Sequence, residues 1–241
     1  MSKKDSNIFI SLTLSGICFF FIFCFISSCG KGKTVLPVTS NTLYQVINLS
    51  PDLLPVDLYI DLTKRNSSSF TYPNPSGYFS LASIDTPFQI RSSSVTVSTG
   101  NIIAIDTPLL KSNVKYTLFI TGLRSNNSIK YMLTIDTSAT PTVGRGKVRF
   151  VNASPGSTPF DVTANSTLAF GNQPYRNVSK FIELPAGTYD FKIMLTGSSA
   201  NVISDLPGVT VQDGKLYTLY CRGIVGRTDS AAFGMSVLTH N

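Results

Sequence analysis

The stretch QVINLSPDLLPVDL at 45–58 returns as RFVNASPGSTPFDV at 149–162, without a gap and at a shift of 104. Asn48/Asn152, Ser50/Ser154, Pro51/Pro155, Pro55/Pro159 and Asp57/Asp161 are identical pairs. Further on, YFSLASIDTPFQI at 78–90 matches FIELPAGTYDFKI at 181–193, and KYTLFITGL at 115–123 matches LYTLYCRGI at 216–224. The shift falls to 103 and then 101, so loops change length by a residue or two while the elements keep register. A period near a hundred residues is too long for a solenoid unit and suits duplicated whole domains.

The same stretch sets the secondary structure. In VDLYID at 56–61, Val56, Leu58 and Ile60 alternate with Asp57, Tyr59 and Asp61, the period of a half-buried strand. Phe160, Val162 and Ala164 repeat that face in the second copy. About seven such runs can be drawn per copy between Pro, Gly, Asn and Ser turns, with no convincing helical period. The expectation is all-β: two tandem immunoglobulin-like β-sandwiches. Tyr116 and Tyr217 open equivalent late strands, where a tyrosine corner would sit; a Tyr packed at a strand start explains them equally well. The copies are expected over 42–137 and 146–241, with the Thr-, Pro- and Gly-rich segment 138–145 as linker.

Upstream, Lys3 and Lys4 precede the apolar run Ile8 to Ile26, which ends in Ile26-Ser27-Ser28-Cys29. That pattern reads as a lipoprotein signal over 1–28, with Cys29 lipidated and 29–41 a tether. The run approaches the roughly 20 residues that span a bilayer, so an uncleaved anchor is the alternative. Both readings put the body outside the cytoplasm and make the membrane its first partner. Gly30, rather than Asp, after the cysteine points to a bacterial outer membrane. Lys31 and Lys33 depart from the acidic residues that follow the cysteine in surface-displayed lipoproteins, which leaves the face open.

After residue 28 the chain keeps 18 basic and 12 acidic residues, scattered, so no nucleic-acid face is expected. Cys18 and Cys24 leave with the signal, and Cys221, inside LYTLYCRG, reads as a small buried hydrophobe. One thiol closes no internal disulfide.

Catalytic groups are scarce. The one histidine, His240, is next to last, where chains usually fray, and the one glutamate is Glu183. No cofactor and no zinc site is expected from so few ligands. Asp57 and Asp161 are the best-paired carboxylates: calcium ligands, or acceptors of backbone N–H groups that fix the N-x-S-P turn. The Ile-Asp-Thr triplets at 84–86, 105–107 and 135–137 read as strand-ending turns. For binding, the loops SFTYPNPSGY at 69–78 and AFGNQPYRN at 169–177 offer Tyr72, Tyr78, Tyr175 and Arg176 for stacking on a glycan or an envelope protein; alternatively their rings fold back over the sandwich.

The opening N-x-S-P-x-x-x-P-x-D, the L-P-A-G-T-Y-D-F-K at 184–192 and the late Y-T-L resemble a bacterial domain-of-unknown-function family, number four-three-nine-seven. The resemblance covers both copies and is clearest in the second; the first lacks the Pro-Ala-Gly turn at SLASIDTPFQI. It implies an exterior β-sandwich module, often in tandem, with no catalytic residues to carry over. The functional expectation is a non-catalytic binding or adhesion module. The alternatives are a structural subunit of an envelope complex and, third, an aspartate-dependent hydrolase.

Overall fold

The computed structural model describes residues 42–81, 87–93, 101–198 and 201–240. Cys29, the signal, the tether and the triplet at 84–86 lie outside these residues. The first copy contributes β1 (Thr42–Asn48), β2 (Val56–Ile60), β3 (Thr63–Lys64), β4 (Phe79–Leu81), β5 (Phe88–Ser92), β6 (Ile102–Asp106), β7 (Lys115–Thr121) and β8 (Lys130–Ile135). The second repeats the set as β9 (Arg145–Asn152), β10 (Phe160–Ala164), β11 (Thr167–Gln173), β12 (Ile182–Pro185), β13 (Gly187–Leu195), β14 (Val202–Val211), β15 (Leu216–Arg222) and β16 (Gly234–His240). Eight described strands per copy replace the roughly seven drawn by periodicity; in the first copy β3 is only two residues long and both of them are exposed.

Strand order is the same in both copies. One sheet runs β4-β1-β7-β8 and the other β3-β2-β5-β6; the second copy has β12-β9-β15-β16 and β11-β10-β13-β14. β1 lies parallel to β7, and β9 parallel to β15, while every other named pair is antiparallel. Each sheet pair closes on its own core. In the first, Tyr44, Val46, Leu58, Ile90 and Leu118 meet; in the second, Phe150, Phe160, Val162, Phe191 and Leu219. The strand faces of VDLYI and FDVTA therefore point inward as their alternation requires.

A third core joins the copies. Ile47 and Leu49 after β1's inward residues, Phe119 on β7 and Met132 on β8 pack on Val151, Ala153, Tyr220 and Leu238 of the second copy. Phe119 and Tyr220 occupy equivalent repeat positions and meet with ring centroids 5.8 Å apart. The β1 and β9 sheets are thus covered on both faces, which is why TLYQVIN is buried almost throughout and shows no clean alternation.

The tyrosine corner is present twice. The Tyr116 hydroxyl accepts from the Lys111 backbone N–H, and the Tyr217 hydroxyl from that of Gln212, each at 2.9 Å and five residues upstream.

Candidate functional site

The N-x-S-P turns are fixed from within. Asn48 and Asn152 are fully buried, and each accepts from the backbone N–H two residues on, Ser50 or Ser154, at 3.1 Å. Pro51 and Pro155 then open the turn. In the second copy Ser154 donates to the Gly223 carbonyl at 2.7 Å and Cys221 Sγ to Asn152 at 3.2 Å. In the first, Asp52 takes over, accepting from the Arg124 and Ser125 N–H groups at 2.8 and 2.9 Å.

Asp57 and Asp161 do not hold that turn, which corrects the expectation that they would. Asp57 accepts from Lys64 Nζ at 2.9 Å and from Asn66 and Ser69 at 2.8 Å, gathering the segment after β2. Burial works to raise its carboxyl, and these three bonds outweigh it, leaving it below the ordinary range. Asp161 accepts from the Asn172 N–H at 2.7 Å, the Gly197 N–H at 3.1 Å and Thr196 at 3.2 Å. The Asn172 N–H bond contributes most to lowering its carboxyl. The two aspartates share a role, tying loops together, and differ in every partner. Among the described residues no group of three His, Cys, Asp or Glu side chains is placed to hold a metal.

The aromatic loops go to the junction between the copies. Tyr78, Tyr72 and Tyr175 are half-buried rather than free for stacking, because each hydroxyl finds a partner across the junction. Tyr72 accepts from Arg222 at 3.5 Å, and Tyr175 lies 3.3 Å from the Thr121 hydroxyl of the first copy. Arg176, at a φ of 66°, stays exposed beside them.

Tyr78 enters a buried polar cluster that the sequence had hidden. Arg149, only 4% exposed, donates to Asp136 and Thr134 through Nη2, to the Ile135 carbonyl at 2.7 Å and, through Nε, to Thr218 at 2.8 Å. Asp136 also accepts from Thr117 at 2.6 Å, Tyr78 at 2.7 Å and Thr134 at 3.0 Å. A carboxylate with this many donors is a satisfied buried charge. Burial lowers the Arg149 guanidinium, and Asp136 acts against that.

His240 completes the cluster. It sits 2.7 Å from the Tyr78 hydroxyl through Nδ1 and 2.7 Å from the Thr218 hydroxyl through Nε2. Tyr78 gives its proton to Asp136, so Nδ1–H donates to Tyr78. Thr218 already accepts from Arg149, so it donates to Nε2. The imidazole is neutral with its proton on Nδ1. Burial depresses its pKa to about 4; Asp136 opposes this, while Arg149 and Lys115 add to it. The expectation of a frayed terminal histidine is therefore corrected: His240, in β16, pairs with Leu216 of β15 and is 2% exposed.

Sequence reasoning missed Arg149 and read Asp136, in the triplet at 135–137, only as a strand-ending turn, whereas it is buried and accepts from four side chains. A signal was available in the repeat: Arg149 stands where the first copy has Gln45, and Asp136 where the second has His240. Charged groups replacing neutral ones at equivalent positions on the faces turned away from each sandwich's own core mark the contact face. Cys221 is fully buried, and its thiol is pushed up to about 12 by burial, fitting its reading as a hydrophobe.

No curated protein matches the sequence. Among solved structures, the chain is similar to one described as the Bacillus anthracis TIE protein, at 9% identity and a TM-score of 0.22, over 83% of this chain and 43% of that one. The chain thus spans less than half of that protein, and a likeness this slight carries no argument. A family model described as Domain of unknown function (DUF4397) matches at residues 43–157 and again at 146–240. With two matches covering both sandwiches, the chain belongs to that family.

Proposed function

We propose that the protein is a bacterial lipoprotein, anchored at Cys29 and held outside the cytoplasm at the outer membrane, that serves as a binding module for another envelope or surface molecule. The reading is supported by how the chemistry-bearing residues are spent. Asp57 and Asp161 clamp loops, and His240 is neutral and walled in by Tyr78 and Thr218. These groups hold a rigid display body rather than face a substrate.

The locking of both aromatic loops across the junction gives a second reading some support, that of a structural strut in an envelope complex.

The test compares wild type with Cys29→Ala in intact cells. The expected result is loss of the lipid mass and release from the membrane fraction. Unchanged mass and membrane association would overturn the anchor. Cross-linking on the same cells separates the roles. A partner captured at variable occupancy fits binding, whereas a fixed stoichiometric neighbour fits the strut.

A further inference from the structure

We infer that the open side of the first copy accepts an extended acidic segment of a partner protein, which adds as a strand to β6 and lies in the groove between β6 and β8. The inference rests on the binding-module reading and gives it a surface and a partner chemistry.

The two copies differ most on this side. In the second copy β14 is ten residues long, reaches β16 and β9, and buries Val211 in the core. Its outer edge carries Asp205, Pro207 and Gly208, the charge and breakers that keep edges from pairing. The equivalent β6 is five residues, Ile102-Ile103-Ala104-Ile105-Asp106, and among the described residues has one strand neighbour, β5. Ile102 and Ile105 are 49% and 56% exposed, and Asp106, at the end, is the only charge on the strand. This is an apolar edge without gatekeepers, the geometry to which extended peptides add.

The walls beside it are basic. Adjoining hollows of about 250 and 490 Å³ run along β6. Ile103, Asn127 and Ile129 line both; Arg124 lines the first, and Lys130 and Arg176 line the second. These three exposed cations outnumber Asp106 in the groove. Tyr131, packed on the first core, forms part of the floor of the larger hollow. Arg176 comes from the second copy, so the groove is complete only when the junction is formed.

The experiment uses the full chain in detergent and three labelled, capped decapeptides that alternate valine with Glu, Ser or Lys, read by fluorescence anisotropy. The Glu peptide is expected to bind best, with affinity falling as salt rises. Ile105→Asp and the pair Lys130→Ala/Arg176→Ala are each expected to weaken it about tenfold or more. Val202→Asp, on the β14 edge, should leave it unchanged. All these positions are exposed, and unaltered thermal unfolding confirms each variant's fold. Equal binding of the Lys or Ser peptide, or equal loss in Val202→Asp, would overturn the site. So would a wild-type dimer that Ile105→Asp dissociates, since β6 would then be taken by a second copy. If a partner cross-linked on cells is still captured by Ile105→Asp, the β6 site falls while the binding-module reading stands.

Discussion

Acid should loosen the junction through His240 before it titrates most carboxylates. In the native protein the imidazole is held neutral to about pH 4, whereas in the unfolded chain it titrates near 6.5. Protonating it in place would put a second N–H on Nε2, facing a Thr218 hydroxyl that already receives Arg149 and would have to turn its proton away. Because the native pKa is depressed, the unfolded state binds more protons between 4 and 6.5. Stability is therefore full above about 6.5, falls as pH drops through that window and levels off below about 4. The shift corresponds to about 3 kcal/mol, which for a body of this size lowers Tm by roughly 6–12 °C. The assay is thermal unfolding of wild type and His240→Gln from pH 7 to 4.5. The variant starts less stable at pH 7 because it disturbs the cluster, but its loss on acidification should be smaller than that of wild type by most of this amount. Carboxylates held low, such as Asp57 and Asp161, act in both proteins and cancel in the difference. Parallel pH profiles for the two proteins would refute the reasoning.

Other perturbations separate the remaining terms. Arg149→Met leaves Asp136 buried without its cation and should cost about 3–5 kcal/mol in urea unfolding, while adding Asp136→Leu should restore much of it. Gly122 and Gly223 are repeat equivalents at φ +99° and +72°, and an added Cβ would lie 2.2 Å from the Ser128 and Ala232 carbonyl oxygens. Alanine at either should cost well over 1 kcal/mol by chemical denaturation, whereas Gly77→Ala, at a similar φ in open space, should cost about 1 kcal/mol. Tyr116→Phe and Tyr217→Phe each strand one backbone N–H and should lower stability by about 1–3 kcal/mol, read as a fall in urea midpoint.

The duplication was legible because it is written in identities such as Asn48/Asn152 and Asp57/Asp161, and the strands because VDLYI has one face inward. Tyr116 and Tyr217 were legible as corners because their bond is local, five residues long. What was hidden depends on contacts between distant parts. The partners of Asp161 lie 11 and 36 residues away, in β11 and in the turn after β13, so no local pattern reveals them. The junction was hidden because β1 is buried on both faces: Val46 serves one core and Ile47 another, which erases the alternation used to find faces. The tyrosine loops could be read as stacking on a ligand or as folding back over the sandwich, because aromatic, Pro and Asn content describes a loop without saying what it lies against. The β6 groove could be seen only by comparing two folded copies, since it comes from what a shorter strand leaves uncovered.

The parallel pairing of β1 with β7 also constrains how the protein is made. Leu43 has its partner in Lys115, so the first strand, edged earlier by the short β4, waits for more than seventy residues before its parallel neighbour exists. Contacts that distant in sequence form slowly, and the core around Tyr44 and Val46 stays incomplete until β7 supplies Tyr116, Leu118 and Ile120. Under the proposed export of the chain from its N-terminus, β1 travels with only the three-residue β4 to pair it until β7 follows. Export conditions that stall it midway should favour aggregation or proteolysis over a half-built domain.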